Sequence, residues 1–238
     1  MHKRPFGRIY DRIRSCLRPV GLISRTRRRG VVVRKGEQTK RGIVEKAAPI
    51  FNQKGYNGTS LSDLMDATGL QKGGIYRHFS SKEELAGKAF DHAWDLAVGR
   101  RLDGVAEIPD SVDRLKKMIA NFVTIRRGLV PGGCPLMNTA VEADDGNAVL
   151  RARAKRALKG WVSRLSVIAA AGIRQREIRK QVEPRKLAEL IISSLEGALL
   201  LCRLENRRKP LRNMQRHLDH HLETSIRRKA GIASRTRS

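Results

Sequence analysis

Apolar side chains recur three or four residues apart along most of the chain, which is the spacing of one face of an α-helix. The first such face comprises Ile43, Val44, Ala47, Ile50 and Phe51. Gly55 follows it, and glycine commonly ends helices. Because similar faces continue as far as Ile226, the pattern predicts an all-α fold.

Two short helices are predicted between residues 60 and 80. Ser60 followed by Asp63 matches a capping box, and the helix that it opens ends at Gly69. After a tight turn and a second short helix, Ser81 with Glu84 matches another capping box and opens a longer helix. Two short helices joined by a tight turn, with a supporting helix on each side, predict a helix-turn-helix.

The second short helix begins with two glycines, Gly73 and Gly74. Each glycine costs about 0.5–1 kcal/mol relative to alanine inside a helix, so a reason for them is needed. A recognition helix enters the major groove by its N-terminal end, where bare backbone can approach bases and phosphates. The free N–H groups there, together with Lys82 in the first turn of the next helix, favour a phosphate.

The charge of the chain predicts an anionic partner, but it does not locate the binding module. The formal net charge is +27, which favours nucleic acid or an anionic membrane surface. Residues 1–36 carry 12 Lys/Arg and one acidic residue, whereas residues 37–95, which include the helix-turn-helix, carry eight of each sign. The local pattern of residues, not bulk charge, therefore points to the site.

Cysteine usage and sequence motifs further narrow the classes of protein to which the chain could belong. Cys16, Cys134 and Cys202 form no CxxC pair, which predicts a reducing, cytoplasmic setting. No apolar run approaches the roughly 18 residues of a membrane span, so no membrane partner is expected. His217 and His221 could share a metal, but no third ligand of suitable spacing accompanies them. No catalytic motif is present, and we expect no enzyme activity, metal or cofactor.

The stretch GYNGTSLSDLMDATGLQKGGIYRHFSSKEEL resembles the DNA-binding domain of TetR/AcrR-family transcriptional repressors. The resemblance is specific over residues 39–95 and looser beyond. It implies an all-α homodimer whose N-terminal domain binds double-stranded DNA and whose C-terminal domain binds a small-molecule inducer.

The resemblance also implies roles for individual residues. Contacts with phosphate or the groove are expected from Thr59, Ser60, Gln71, Lys72, Gly73, Gly74, Tyr76, His78 and Lys82. Of these, Gln71, Lys72 and Gly73 would face the groove. The family often has Ser or Thr where this chain has Gln71, and glutamine is a poorer cap but a competent reader of adenine.

We expect four regions along the chain. Residues 37–90 form the helix-turn-helix domain and residues 91–228 form a helical ligand-binding and dimerisation domain. Residues 1–36 form a basic extension that we predict to be disordered, and residues 229–238 form a basic tail. The extension has two possible explanations. It is either a real arm that contacts DNA, or it is not translated at all, because translation begins at one of the valines 31–33.

Apolar helix faces in the second domain predict the inducer pocket. The expected lining is Met118, Phe122, Cys134, Met137, Asn138, Trp161, Leu165 and Leu195. Asn138 and Thr139 are the expected polar anchors. Cys134 is either a plain thiol beside this cavity or a sensor of oxidants or electrophiles.

The segment RKLAELIISSLEGALLLCRL is apolar almost all round, which predicts burial on every side. A final helix continues the apolar pattern with Leu211, Met214, Leu218 and Leu222. We expect the helices at 185–205 and 211–227 to form a four-helix dimer interface.

Together these features predict a sequence-specific repressor that a small-molecule inducer releases from a palindromic operator. Two alternatives from other classes stay open. One is an enzyme that borrows a helical scaffold, and the other is a basic architectural or membrane-surface protein without an inducer.

Overall fold

The computed structural model describes residues 35–124, 130–144 and 146–228, so most of the predicted basic extension and the whole basic tail lie outside the described residues. Within these ranges every regular element is helical, as the apolar spacing predicts. The elements are α1 (Lys35–Gly58), α2 (Leu61–Thr68), α3 (Lys72–Tyr76), α4 (Lys82–Arg101), α5 (Ser111–Thr124), α6 (Pro135–Glu142), α7 (Ala148–Arg174), α8 (Pro184–Leu204), α9 (Lys209–His221) and a π-helical turn (Leu222–Ile226). No helix of the described part is long and apolar enough to cross a membrane.

The predicted helix boundaries around the helix-turn-helix are confirmed. Helix α1 is interrupted at Gly55, whose φ of 75° and ψ of 175° suit only glycine. Ser60 and Asp63 form the full capping box, since the Ser60 hydroxyl accepts from the Asp63 N–H and the Asp63 carboxylate accepts from the Ser60 N–H. Helix α2 then ends at Gly69 in the left-handed region, with φ of 72°.

The second capping box forms only in part. The Ser81 hydroxyl accepts from the Glu84 N–H at 3.0 Å, as predicted. The Glu84 carboxylate, however, accepts from the backbone N–H and the hydroxyl of Ser80, both at 2.7 Å. These bonds to Ser80 lower the pKa of Glu84. The carboxylate therefore fastens the loop before α4 instead of closing the reciprocal box.

One hydrophobic core holds the first four helices together. Its fully buried members come from α1, α2, α3, the following turn and α4, namely Ile43, Ala47, Leu64, Ile75, Phe79 and Leu85. Burying each Ile, Leu or Phe side chain of this core contributes about 1.5–3 kcal/mol relative to leaving it exposed. Since α3 has only five residues, this packing and not helix propensity must hold it in place.

The chain separates into two compact units. Among the described residues, one unit contains 35–102 and 124–161, and the other contains 103–123 and 162–228. The first unit therefore includes α6 and the start of α7 in addition to the helix-turn-helix.

In the second unit α8 packs along α9. Leu211, Leu218, Leu222 and Ile226 are all buried within this unit. An ion-pair cluster closes the chain end, where the Arg227 guanidinium lies 2.5 Å from Asp113 and 3.0 Å from Asp110. Arg227 also pairs with Glu223 at 2.8 Å, which fixes the π-helical turn onto the start of α5.

Candidate nucleic-acid interface and ligand site

The N-terminal end of α3 offers exposed polar groups to solvent. Gln71 is its N-cap residue but makes no capping hydrogen bond with its side chain, which leaves the amide available. Gln71, Lys72 and Gly73 are all exposed, while Ile75 of the same helix is buried. The three residues predicted to face the groove thus lie together on the outer side of the short helix.

The fold itself gives no reason for a glycine at position 73. A Cβ placed there would meet no atom within 4 Å, and the residue does not have a positive φ. At Gly74 the nearest atom to a Cβ would be the Leu70 Cβ at 3.4 Å, which is ordinary contact. Alanine would fit either position, so the bare backbone of Gly73 is not explained by packing.

The residues predicted to bind phosphate surround this helix end with differing exposure. Tyr76 and His78 are half-buried, and Ser60 is exposed with its hydroxyl committed to the α2 cap. Lys82 is half-buried, and its Nζ lies 4.5 Å from the centre of the Tyr56 ring. This cation–π contact limits where the ammonium group of Lys82 can go.

The structure argues against the expected phosphate contact of Thr59. Its side chain is 0% exposed, and its hydroxyl donates to the Gly55 carbonyl at 2.5 Å. The side chain therefore supports the kink that follows α1. The sequence could not distinguish this role, because a hydroxyl before a helix suits both a cap and a phosphate contact.

Sequence reasoning left Arg77 out of the interface, although the structure places it on the same outer surface. It is the C-terminal cap residue of α3, and its side chain is exposed. Its charge next to the exposed helix end was the available signal. The planar guanidinium would suit bidentate contact with a phosphate or a guanine edge.

The first helix carries a charge arrangement that supports α2. Lys54 lies 2.6 Å from Asp63, which is the acidic member of the capping box. The hydrogen bond from Lys54, followed by those from Ser60, lowers the pKa of Asp63 to about 2. The carboxylate therefore stays ionised, and the start of α2 stays capped, at any pH near neutral.

Glu142, at the end of α6, caps the backbone just before the helix-turn-helix. Its two carboxylate oxygens accept from the N–H groups of Tyr56 at 2.8 Å and Asn57 at 2.9 Å. A Cβ at Gly55 would lie 2.6 Å from both oxygens, so glycine is needed here for space as well as for its φ.

Asn138 fastens the same helix to α1. Its amide nitrogen donates to the carbonyl and the side-chain oxygen of Asn52, at 3.0 and 3.1 Å, and to the Gly132 carbonyl at 2.8 Å. Asn52 in turn donates to the Pro131 carbonyl at 2.8 Å. These bonds occupy the amide expected to anchor an inducer, so Asn138 has a positioning role.

Thr139, the second expected polar anchor, lines a small cavity. The volume of this cavity is about 20 Å³, which leaves room for one water.

Two of the predicted ligand residues, Cys134 and Trp161, belong to a buried cluster around Arg101. Trp94 and Trp161 meet edge to face, with ring centres 6.3 Å apart. The Arg101 guanidinium lies 5.1 and 5.5 Å from these rings and donates to the Cys134 Sγ at 3.4 Å. Sequence reasoning missed Trp94 and Arg101, since Arg101 reads as a solvated charge at the end of a helix.

The other predicted ligand residues are divided between the two compact units. Met137 is a half-buried member of α6 in the unit of the helix-turn-helix. The remaining four are buried in the other unit, and they are Met118, Phe122, Leu165 and Leu195. The eight expected residues therefore do not fall within one compact unit.

The apolar stripe of the last helices differs from the one expected for a dimer. Leu211, Leu218 and Leu222 were assigned to the interface, but they are buried against their own chain. The exposed apolar residues of α8 are instead Leu190, Leu200, Leu201 and Leu204. Of these, Leu201 lines a groove of about 720 Å³ between α8 and α9, together with Ser193, Gly197 and Met214. Leu211, Leu218 and Leu222 therefore belong to the core of their own chain, and the assignment of these two helices to a dimer interface stays a prediction.

Two models of one protein family match the chain, one near its N-terminal end and one over its C-terminal half. Residues 43–89 match the family model described as bacterial regulatory proteins, tetR family. Residues 111–218 match the model described as tetracyclin repressor-like, C-terminal domain.

Individual proteins resemble the chain over most of its length. The HTH-type transcriptional repressor DhaR of Mycobacterium sp. (strain GP1) is 31% identical over 170 residues, which are 71% of this chain and 84% of DhaR. A TetR transcriptional regulator from Chloroflexus aurantiacus J-10-FL has 40% identity and a TM-score of 0.79, covering 83% of this chain and 100% of that one. A TetR-family regulator from Cytophaga hutchinsonii has 35% identity and a TM-score of 0.78, covering 83% and 99%.

Proposed function

Because the chain belongs to the TetR family of transcriptional regulators, we propose that it represses transcription by binding a palindromic operator as a homodimer, and that a small-molecule inducer releases it. The family consists of DNA-binding regulators, so an architectural or membrane-surface role is not favoured. We assign the chain no catalytic role and, as a DNA-binding regulator, a place in the cytoplasm.

One observation carries the DNA-binding proposal. The exposed N-terminal end of α3 has a glycine with no internal need for it, Gly73, next to the uncommitted amide of Gln71. In the proposed complex this end enters the major groove. Gln71 reads a base edge, Lys72 and Arg77 neutralise phosphates, and the Gly73 backbone makes close contact. Tyr76, His78 and Lys82 position the helix on the phosphates.

Two substitutions test these roles on a duplex that the protein selects from a random-sequence pool. Gln71→Ala should relax the preference at one base pair, at a cost of about 1–3 kcal/mol. Lys82→Ala should weaken binding to all sequences and lower the salt slope by about one unit for each protomer, which is about two units in a dimer. An equal, sequence-independent loss from both would refute the division of roles. Failure to select any sequence would refute operator binding itself.

The exposed side of α8 supports the homodimer. Leu190, Leu200 and Leu201 are each between 44% and 49% exposed, and Leu204 is 76% exposed. Gly197, where a Cβ would meet no atom within 4 Å, lets a second copy approach the backbone closely. Several large apolar side chains exposed on one helix favour burial against a partner. We propose that two copies meet through this side of α8 and through the Met214 side of α9.

The bonds of α6 provide a route from ligand to DNA-binding helices. Asn138 ties α6 to Asn52 of α1, and Glu142 ties it to the backbone immediately before α2. A ligand that displaces α6 would therefore displace Tyr56, on whose ring Lys82 rests. Coupling of this kind is typically about 1–3 kcal/mol, or 5–150-fold in affinity.

The inducer test uses a panel of small apolar and aromatic compounds. We propose that the inducer contacts the Trp94–Arg101–Trp161 cluster, where it would meet indole faces and one guanidinium. A compound of the right shape should lower operator affinity at least fivefold. Operator affinity unchanged across a broad panel would count against release by an inducer while leaving DNA binding intact.

A further inference from the structure

Helix α7 has an unusual distribution of charge. Its 27 residues include seven Lys/Arg and no acidic residue. Four of the basic residues lie within its first half and are exposed, namely Arg151, Lys155, Arg156 and Lys159. We call these four the α7 ridge. Three of them, Arg151, Lys155 and Lys159, are spaced four residues apart and so follow one line along the helix.

The start of α7 is fixed beside the first turn of α4. The Asn147 amide nitrogen donates to the Glu83 carboxylate at 2.7 Å, and Glu83 directly follows Lys82. Leu150 packs into a buried cluster with Ala86. Arg153 pairs with Asp91, and its guanidinium lies against Gly87, where a Cβ would come within 2.6 Å of its Nε. The inward residues of α7 are thus committed to α4, and the ridge points to solvent.

The ridge therefore begins next to a proposed phosphate contact. Arg151 is about 6 Å along the helix axis from Asn147, and Lys155 is about 12 Å along it, at 1.5 Å per residue. These distances are comparable with the Debye length of about 10 Å at 0.1 M salt. Within the ridge the structure pairs Arg151 with Asp144 at 3.6 Å, an exposed pair with both side chains more than 60% accessible. Such a pair neutralises little charge in water.

We propose that the α7 ridge is a second DNA-contacting surface, which binds duplex phosphates outside the bases read by α3. The proposal rests on DNA binding by the helix-turn-helix and extends it to a helix of the C-terminal family model. Charge complementarity and continuity with the Lys82 turn select a nucleic acid as the partner. The ridge would add affinity and salt dependence without adding base preference, because phosphates carry no direct sequence information.

The test compares two variants that lose the same number of positive charges. The ridge variant carries Arg151→Gln, Lys155→Gln, Arg156→Gln and Lys159→Gln. The control variant changes four exposed basic residues of the other compact unit, with Arg174→Gln, Lys180→Gln, Lys186→Gln and Arg212→Gln. Each set breaks one exposed ion pair, Arg151–Asp144 or Lys186–Glu183. Equal thermal unfolding midpoints would show that both variants keep the fold.

Fluorescence anisotropy at several salt concentrations measures binding to a duplex of mixed sequence. The duplex is about 40 bp long, which is close to four helical turns. With one phosphate lost per protomer, the ridge variant should lower the slope of log K against log salt by about two units in a dimer, since each phosphate contributes about 0.9. The control variant should keep the wild-type slope, and the sequence selected from a random pool should be the same for all three proteins.

Two results would overturn the proposal. Equal slopes for the ridge and control variants would show that only net charge matters. Unchanged DNA binding together with lost binding to phosphatidylserine-containing vesicles would assign the ridge to an anionic membrane surface. Because the duplex has mixed sequence, this test stands even if no preferred operator is selected, so the two proposals can fail separately.

Discussion

Replacing Gly73 with alanine should stabilise the fold and weaken DNA binding at the same time. Gly73 is the second residue of α3, and an added Cβ would meet no atom of the protein within 4 Å. Its backbone also lacks the positive φ that would strain alanine. The substitution therefore removes conformational freedom from the unfolded chain without cost to the native state, which is worth about 0.4–1 kcal/mol. The lower half of that range is expected, since the site is in the first turn of a short helix.

On DNA the same methyl group should be unfavourable. It would lie on the surface that α3 offers to the groove, beside Gln71 and the free N–H groups. Holding the helix end away from the bases would weaken contacts worth about 1–3 kcal/mol, a five- to 150-fold loss of affinity. Urea unfolding measures the gain in stability, and anisotropy with the selected duplex measures the loss of binding.

Gly160→Ala is the matched control. Gly160 is an exposed residue of α7, and a Cβ there would also meet nothing within 4 Å. It should stabilise the protein by about 0.5–1 kcal/mol and leave DNA affinity unchanged. Wild-type DNA affinity for Gly73→Ala would show that bare backbone is not required. A less stable Gly73→Ala protein would show that the space around the residue is not open.

Three further changes test other parts of the structure. The pKa of Asp63 is lowered from 3.8 to about 2, so its contribution to stability is complete above pH 3.8 and is lost as the pH falls towards 2. Unfolding free energies should therefore depend less on pH in that window for Asp63→Asn than for the wild type. Leu201→Glu, at a position 49% exposed, should give monomers in sedimentation velocity with an unchanged helical circular dichroism spectrum. Glu142→Ala removes two hydrogen bonds to a carboxylate, each worth about 1.5–3 kcal/mol, although water can replace the one at exposed Asn57. We expect about 2–3 kcal/mol less stability and weaker operator binding, with Glu142→Gln intermediate; wild-type values for both variants would remove Glu142 from the coupling route.

Local signals predicted the helix-turn-helix because each of its boundaries depends on residues close in sequence. Ser60, Asp63 and Gly69 set the ends of α2 through bonds that span three or four residues. The apolar spacing of α1 and α4 likewise depends only on helix geometry. Where a side chain had two partners within reach the prediction was less accurate, as Glu84 shows by binding Ser80.

Features that join distant parts of the chain could not be predicted. Glu142 contacts backbone that is 85 and 86 residues earlier, and nothing near Glu142 marks that partner. Periodicity likewise showed that the last helix has an apolar side but not what covers it, so Leu218 was assigned to a second chain instead of its own. The ligand residues were chosen by apolar character alone, which describes both a pocket lining and an ordinary core.

The Arg101 cluster gives the protein a built-in optical reporter. The chain has two tryptophans, Trp94 and Trp161, and their rings are 6.3 Å apart. Its tryptophan fluorescence must therefore originate from one place in the molecule. The guanidinium beside both rings makes that emission sensitive to small displacements of Arg101. A compound that enters this cluster would therefore be detected by a change in the emission of the unlabelled protein.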